Sequence, residues 1–204
     1  TKVYSVATGY DGALLLQPIG LVPATRNAGS VALDARVCFP VTVPSGARQF
    51  RVQLFNSEVE GGATSDLDVV VLRGSTEVGS SLNADSNELV TLTNPAAGGY
   101  QACVDGFAPV NGRAAFTLSH WVVGPAVGTQ SLRAFGPRSV RTGGVASVGL
   151  SWSVAAGARY LGVVDYRSTS GAAPIGSTAV FIDNAPASSA ATAAAPAVRD
   201  KSAR

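Results

Sequence analysis

The stretch SDLDVVVLRG (residues 65–74) decides how this chain is read: Leu67, Val69 and Val71 alternate with Asp66, Asp68 and Val70 ahead of a closing glycine. A period of two along an apolar run bounded by a turn residue is the pattern of a strand with one face in a core. Asp66 and Asp68 then share the other face at the mouth of the strand, their Cβ atoms about 7 Å apart by strand rise. Such a pair is a metal site, half of a catalytic machine, or a structural strand end, and the sequence around it has to choose.

Moving outward, the same period recurs. In RQFRVQLF (residues 48–55), Phe50, Val52 and Leu54 share one face and Gln49, Arg51 and Gln53 the other. VALDARVCFPVTV (residues 31–43) reads as one strand with Leu33, Ala35, Val37 and Phe39 inward. ALLLQPI, STEVGSS, ELVTLT, GYQACVDGF and AAFTLSHWVV continue the series, separated by VPSG, TNPAAGG and FAPVNGR. No stretch sustains a helical period. The 204 residues are 46% hydrophobic but only 14% charged, with 23 Gly, 11 Pro and no Met, a composition that disfavours helical bundles and disordered chains. The expected fold class is all-β: two antiparallel β-sandwich modules, the first jelly-roll-like and the second a small immunoglobulin or fibronectin type III-like sandwich.

Gly and Pro interrupt the alternation in VVGPAVGTQ (residues 122–130), which places the boundary near Gly124. Residues 1–124 form the first expected module and residues 125–184 the second, where Val148, Leu150, Trp152 and Val154 alternate inward. About 60 residues is thin for a sandwich of seven strands, so this module is expected to lean on its neighbour. Residues 185–204, rich in Ala, Ser and Pro, read as a linker tail.

Charge and motif content exclude several function classes. A net charge of +2 spread over scattered arginines is no electrostatic footprint for nucleic acid. No apolar run reaches the roughly 20 residues of a membrane span, and TKVYSVATG lacks the regions of a signal peptide, so a mature soluble piece is expected. Cys38 and Cys103 have no neighbouring ligand chemistry for a zinc or redox motif, which leaves a disulfide or two inert thiols. Cys38 shares strand parity with Asp34 and Arg36, and Cys103 with Gln101 and Asp105; two cysteines on polar faces favour a bridge between neighbouring strands. A loop of about 65 residues closed in this way gains about 4 kcal/mol in the chain-entropy model. The bridge implies an oxidising, extracellular compartment.

Catalysis finds few parts. The single histidine, His120, shares parity with Phe116 and Leu118 and reads as structural; no GxSxG elbow accompanies it for a serine triad. No cofactor is required by any motif. Calcium is one reading of EVEGGATSDLD, which offers Glu58, Glu60, Ser65, Asp66 and Asp68 as oxygen ligands without EF-hand spacing. The other is structural: Asp66 ends a turn and Asp68 caps a neighbouring loop. For a binding surface, Tyr100, Phe107, Trp121 and Tyr160 are the available aromatic contacts.

TSDLDVVVLRGSTEVGSS followed by ELVTLTNPAAGGYQACVDGF resembles the pre-peptidase C-terminal (PPC) domain, a β-sandwich appended to secreted bacterial peptidases. The correspondence runs through Asp66 to Asp68, the hairpin at Gly74 to Ser81, Glu88 to Leu92, and Asn94, Pro95, Gly98 and Tyr100. With GYDGALLLQPIGLVPA, FTLSHWVVG and SWSVAAGARYLGVVDY, the chain is similar to the C-terminal extension of subtilisin-like serine peptidases over roughly residues 6–166. The subtilase Asp, His and Ser motifs are absent. The resemblance therefore implies a secreted, monomeric, non-catalytic accessory region acting on stability, secretion or attachment, with the parent catalytic domain in cis and a protein or cell-wall surface as partners. The alternative is an autonomous extracellular protein- or carbohydrate-binding module.

Overall fold

Alternating apolar residues with short Gly-, Pro- and Asn-rich breaks produce strands throughout. The computed structural model describes residues 1–125, 131–169 and 172–185. In chain order the strands are β1 Lys2–Ala7, β2 Gly12–Ala13, β3 Leu15–Pro23, β4 Thr25–Ala32, β5 Arg36–Val43, β6 Gln49–Leu54, β7 Asp66–Arg73 and β8 Thr76–Ser81. They continue as β9 Glu88–Thr93, β10 Gly98–Ala108, β11 Arg113–Val123, β12 Leu132–Phe135, β13 Ser139–Val140, β14 Val145–Trp152, β15 Arg159–Arg167 and β16 Gly176–Asp183. The pairs β1–β14, β5–β10, β7–β10, β4–β11, β15–β16, β3–β15 and β6–β9 are antiparallel, and the fold is all-β among the described residues.

The chain divides into two units. The larger, Ala24–Val122, holds two four-stranded sheets ordered β5-β10-β7-β8 and β4-β11-β6-β9. Period-2 alternation turns Leu67, Val69 and Val71 of β7 inward to meet Phe50, Val52 and Leu54 of β6, with Val31, Val104, Ala114 and Leu118 completing the core. Phe50 stacks edge-on against Tyr100 at 5.5 Å. These are the inward residues that the sequence pattern predicts for β6 and β7.

Residues 31–43 are two strands, not one. Asp34 adopts φ 58°, a left-handed conformation that Asp tolerates better than most residues, and the chain turns there from one sheet into the other. Leu33, expected inside, sits on this turn 47% exposed, and Ala35 is exposed with it. Val37 and Phe39 do pack against the core. The turn is fastened to β10, because Asp34 N donates to Gly106 O at 2.8 Å and Gly106 N to Ala35 O at 2.9 Å. A Cβ on Gly106 would lie 2.1 Å from the backbone oxygen of Ala32, so the approach requires glycine.

The smaller unit joins Thr1–Pro23 to Val123–Pro186. It corrects the expectation that residues 1–124 form one module: β1 pairs with β14 (Tyr4 opposite Val148), and β3 pairs with β15 (Leu16 opposite Tyr166). The physical reason is the shortage of strands after residue 124, which leaves too little chain to cover two sheet faces. Completed from the N-terminus, the unit has sheets β1-β14-β12 and β16-β15-β3 and a β13-β2 ribbon around Leu21, Leu132, Val148, Leu150, Val164 and Ile182. Trp152 and Val154 pack partly buried against this core, as the alternation predicts. Residues 126–130 of the predicted seam and the predicted linker tail beyond residue 185 lie outside the described residues.

Gly106→Ala is expected to destabilise the larger unit by more than about 2 kcal/mol, since backbone must move to admit the methyl. Gly99→Ala, with nothing within 4 Å of its would-be Cβ, is expected to stay near wild type. Urea midpoints of the two variants check the contrast.

Candidate functional site

The strand-mouth carboxylates keep the parity that the sequence assigns them. Asp66 and Asp68 lie on the face of β7 opposite Leu67, Val69 and Val71, and both are buried, Asp68 completely. Asp68 stands opposite Asp105 of β10, which stands opposite Arg36 of β5. Arg36 grips Asp105 with two hydrogen bonds of 2.6 and 2.7 Å, a bidentate charge-assisted pair. These bonds hold the guanidinium pKa above its ordinary value. One pleat along, Cys38 and Cys103 face each other in register and are joined by a disulfide, as strand parity indicates.

The other proposed calcium ligands point to different work. Glu58 pairs with Arg26 of β4 at 3.0 Å. Glu60 reaches β11, its Oε2 accepting from Ala115 N at 3.0 Å while its own N–H donates to Ala115 O at 2.8 Å. Both carboxylates thus tie the loop before β7 to the opposite sheet. Among the described residues no group of three or more His, Cys, Asp or Glu side chains is placed to hold a metal ion. The four residues Glu58, Glu60, Asp66 and Asp68 are near in sequence yet do not converge.

What holds the mouth of β7 is a pair of serines. Ser65 Oγ donates to Glu60 O at 2.6 Å and accepts from Val110 N at 3.1 Å. Ser86 Oγ donates to Ser65 O at 2.7 Å and accepts from Leu67 N at 3.1 Å. Both serines are fully buried. Ser86 is positioned by Asn56, whose Oδ1 accepts Ser86 N at 2.9 Å and whose Nδ2 donates to Asp85 at 2.8 Å. Next to it the buried Glu88 carboxylate accepts from Asn83 N at 2.6 Å and from Ser81 Oγ. The sequence reading missed this network. Its signal was the run SLNADSNE (residues 81–88), whose short polar side chains favour bonds to nearby backbone.

Of the four aromatic residues named as surface contacts, three are buried. Tyr100 belongs to the larger core, its hydroxyl donating to Ala96 O at 2.8 Å in the Asn94-Pro95 turn, and Phe107 and Trp121 are buried. Tyr160 packs partly buried against the smaller core. Strand parity alone does not report which faces are covered, which is why the expectation failed. Trp121 has a further partner in Arg51, whose guanidinium carbon lies 5.7 Å from the ring centroid. Burial lowers the Arg51 pKa but leaves it charged at neutral pH.

His120 is where a catalytic base would have to be. It is buried, edge-on to Phe50 at 6.4 Å, with Asn27 Nδ2 lying 3.1 Å from its Nδ1. The amide nitrogen can only donate, so Nδ1 accepts and the ring proton sits on Nε2. Burial lowers its pKa, favouring the neutral ring. Its partners are an amide and a benzene ring, not a carboxylate and a serine.

No protein-family model matches the chain, and no characterised relative matches it in sequence. Several solved structures resemble it weakly, two of which follow. One is PliG of Aeromonas hydrophila, a periplasmic inhibitor of g-type lysozyme, at 14% identity over 49% of this chain and 86% of that one, with a TM-score of 0.36. The other is the Bacillus licheniformis lipase BlEst2 in propeptide form, at 11% identity over 86% of this chain and 42% of that one, with a TM-score of 0.31. The chain spans less than half the length of that lipase, and neither likeness is strong enough to bear on function.

Two outcomes are expected. Ser86→Ala strands the buried Leu67 N–H and Ser65 carbonyl and should cost about 1–3 kcal/mol by chemical denaturation. The lowered His120 pKa means that below its ordinary value near 6.5 the unfolded chain binds a proton that the folded chain refuses. The stability from this group is therefore complete above that value and lost as pH falls towards the folded pKa. Melting temperature should drop on acidification over that window, and less steeply in His120→Gln.

Proposed function

We propose that the chain is a non-catalytic accessory region of a secreted subtilisin-like serine peptidase, a PPC-like sandwich and a smaller sandwich that act on stability, secretion or attachment of the parent enzyme. The observation that carries this reading is the role of the motif residues. The resemblance to the PPC pattern runs through Leu67, the β7–β8 hairpin at Gly74, Glu88, and the Asn94-Pro95 turn closed by Tyr100, and each of these is a packing, turn or hydrogen-bonding element. None of them converges with the others into a reactive constellation.

Further support comes from the polar groups with chemical potential. The carboxylates Glu58, Glu60 and Asp105 are engaged by arginine or backbone, and the only histidine is buried beside an amide. The Cys38–Cys103 disulfide suits an oxidising extracellular compartment. Among the described residues no helix is long and apolar enough to cross a membrane. An autonomous carbohydrate-binding module is less well supported, because Tyr100, Phe107 and Trp121 are buried and offer no stacking platform.

The reading is tested in two steps. Incubated with casein and with a fluorophosphonate probe, the chain is expected to show neither turnover nor labelling, and either result would remove the non-catalytic assignment. The coding sequence upstream of Thr1 is expected to contain a subtilase nucleophile segment of the GTSMAAP type; an unrelated upstream domain would overturn the parent.

A further inference from the structure

The core of the smaller unit is open at one end. A cavity of about 450 Å³ lies between its two sheets, within the roughly 300–1,000 Å³ range of small-molecule sites. Its walls come from β1, β13, β14, β15 and β16 and from the segments that flank β2 and precede β16, with Val6, Leu14, Ala146 and Val148 supplying apolar surface. Among the described residues no charged one lines it. Tyr10 also lines it, folded over a glycine: a Cβ on Gly12 would lie 2.8 Å from the Tyr10 hydroxyl.

Thr8, Tyr10 and Ser177 bring hydroxyls to the lining, and the bonded polar feature at its wall is a chain of three hydroxyls that begins with Thr178 and Tyr166 and ends behind the wall at Tyr4. Tyr4 Oη lies 2.8 Å from Tyr166 Oη, which lies 2.6 Å from Thr178 Oγ1. Tyr166 and Thr178 line the cavity, and Tyr4 and Thr178 line a neighbouring hollow on the same side of the unit. Three hydroxyls bring three protons and six lone pairs, and the two bonds between them use two of each. One donor is therefore left over, on Thr178, Tyr4 or Tyr166 according to the bond directions, and lone pairs remain in every case. Burial and the bond to Tyr166 raise the Tyr4 pKa, so the Tyr4 hydroxyl stays protonated and neutral at ordinary pH. A group facing it can either donate or accept.

We propose that this cavity is a binding site for a small neutral amphiphile, an apolar body ending in a single hydroxyl or carbonyl oxygen that meets the Tyr166–Thr178 hydroxyls. The apolar walls take the body, and the amphoteric hydroxyl chain takes the oxygen. An ionised head group is excluded, since the lining offers no countercharge to a desolvated charge. The neighbouring hollow has Lys2 and Asp183 in its lining and lacks this selectivity against charge. The site would serve the smaller unit whatever the parent enzyme is, so it stands apart from the accessory reading.

The test is a titration of the methyl-labelled full chain with 1-octanol and, separately, with octanoate at pH 7, followed by NMR. Saturable octanol shifts centred on Val6, Leu14 and Val148, with octanoate weaker by at least about tenfold, are expected. Thr178→Val keeps the side-chain shape and should weaken octanol about threefold to tenfold, the effect of one neutral hydrogen bond. Ala146→Leu should fill the cavity and abolish the shifts; if that variant fails to fold, Thr178→Val decides alone. Absence of saturable octanol shifts, equal binding of octanoate, or unchanged affinity in Thr178→Val would each overturn the proposal. None of these outcomes touches the casein and labelling experiment.

Discussion

Strand β10 is hydrogen-bonded along both edges, to β5 and to β7, and the larger unit depends on that double pairing. A strand held on both sides cannot slip its register without turning every side chain to the wrong face. Tyr100, Ala102 and Val104 are thereby committed to the core, while Cys103 and Asp105 are committed to the outer face, where β5 presents Cys38 and Arg36. A covalent bond and a bidentate ion pair then fasten the same two strands one pleat apart. Gly106, at the end of this row, gives up its side chain so that the β4–β5 turn can close over it.

Around that frame, the polar chemistry of the larger unit is directed inward to its own backbone. Ser65, Ser86, Asn56 and Glu88 satisfy N–H and C=O groups that the irregular loops between strands would otherwise bury without partners. Side chains used in this way are committed to holding the loops between the strands. The smaller unit differs. Its hydroxyl chain touches a cavity, and its chemistry is not exhausted by holding the fold together.

Much of the fold could be read from period-2 alternation, because strands with one buried face write their geometry directly into the sequence. The inward residues of β6 and β7 followed from parity, which also favoured the bridge between Cys38 and Cys103 over two inert thiols. Parity is silent about partners, however. Nothing local in KVYSVA (residues 2–7) announces that Tyr4 lies opposite Val148, so the N-terminal strands were assigned to the nearer module. Parity is also blind to a turn made by a non-glycine residue, hence the single strand read through Asp34. The carboxylates looked like a cluster because Glu58 to Asp68 are close in sequence. The loop that carries them spreads Glu58 and Glu60 towards β4 and β11 instead, a matter of tertiary contact that spacing does not encode.

The course of the chain has a further consequence for how the molecule is made. Among the described residues the larger unit is continuous in sequence, whereas the smaller one is begun by β1–β3 and finished only by β12–β16, after Ala24–Val122 has intervened. During synthesis the larger unit can close as soon as β11 emerges, but the first 23 residues must wait without their sheet partners until β14 and β15 arrive. Prior folding of the intervening unit shortens the loop whose ends must meet, so it lowers the entropic cost of closing the second sandwich. Residues 1–23 are thus made before the larger unit and find their partners only after it.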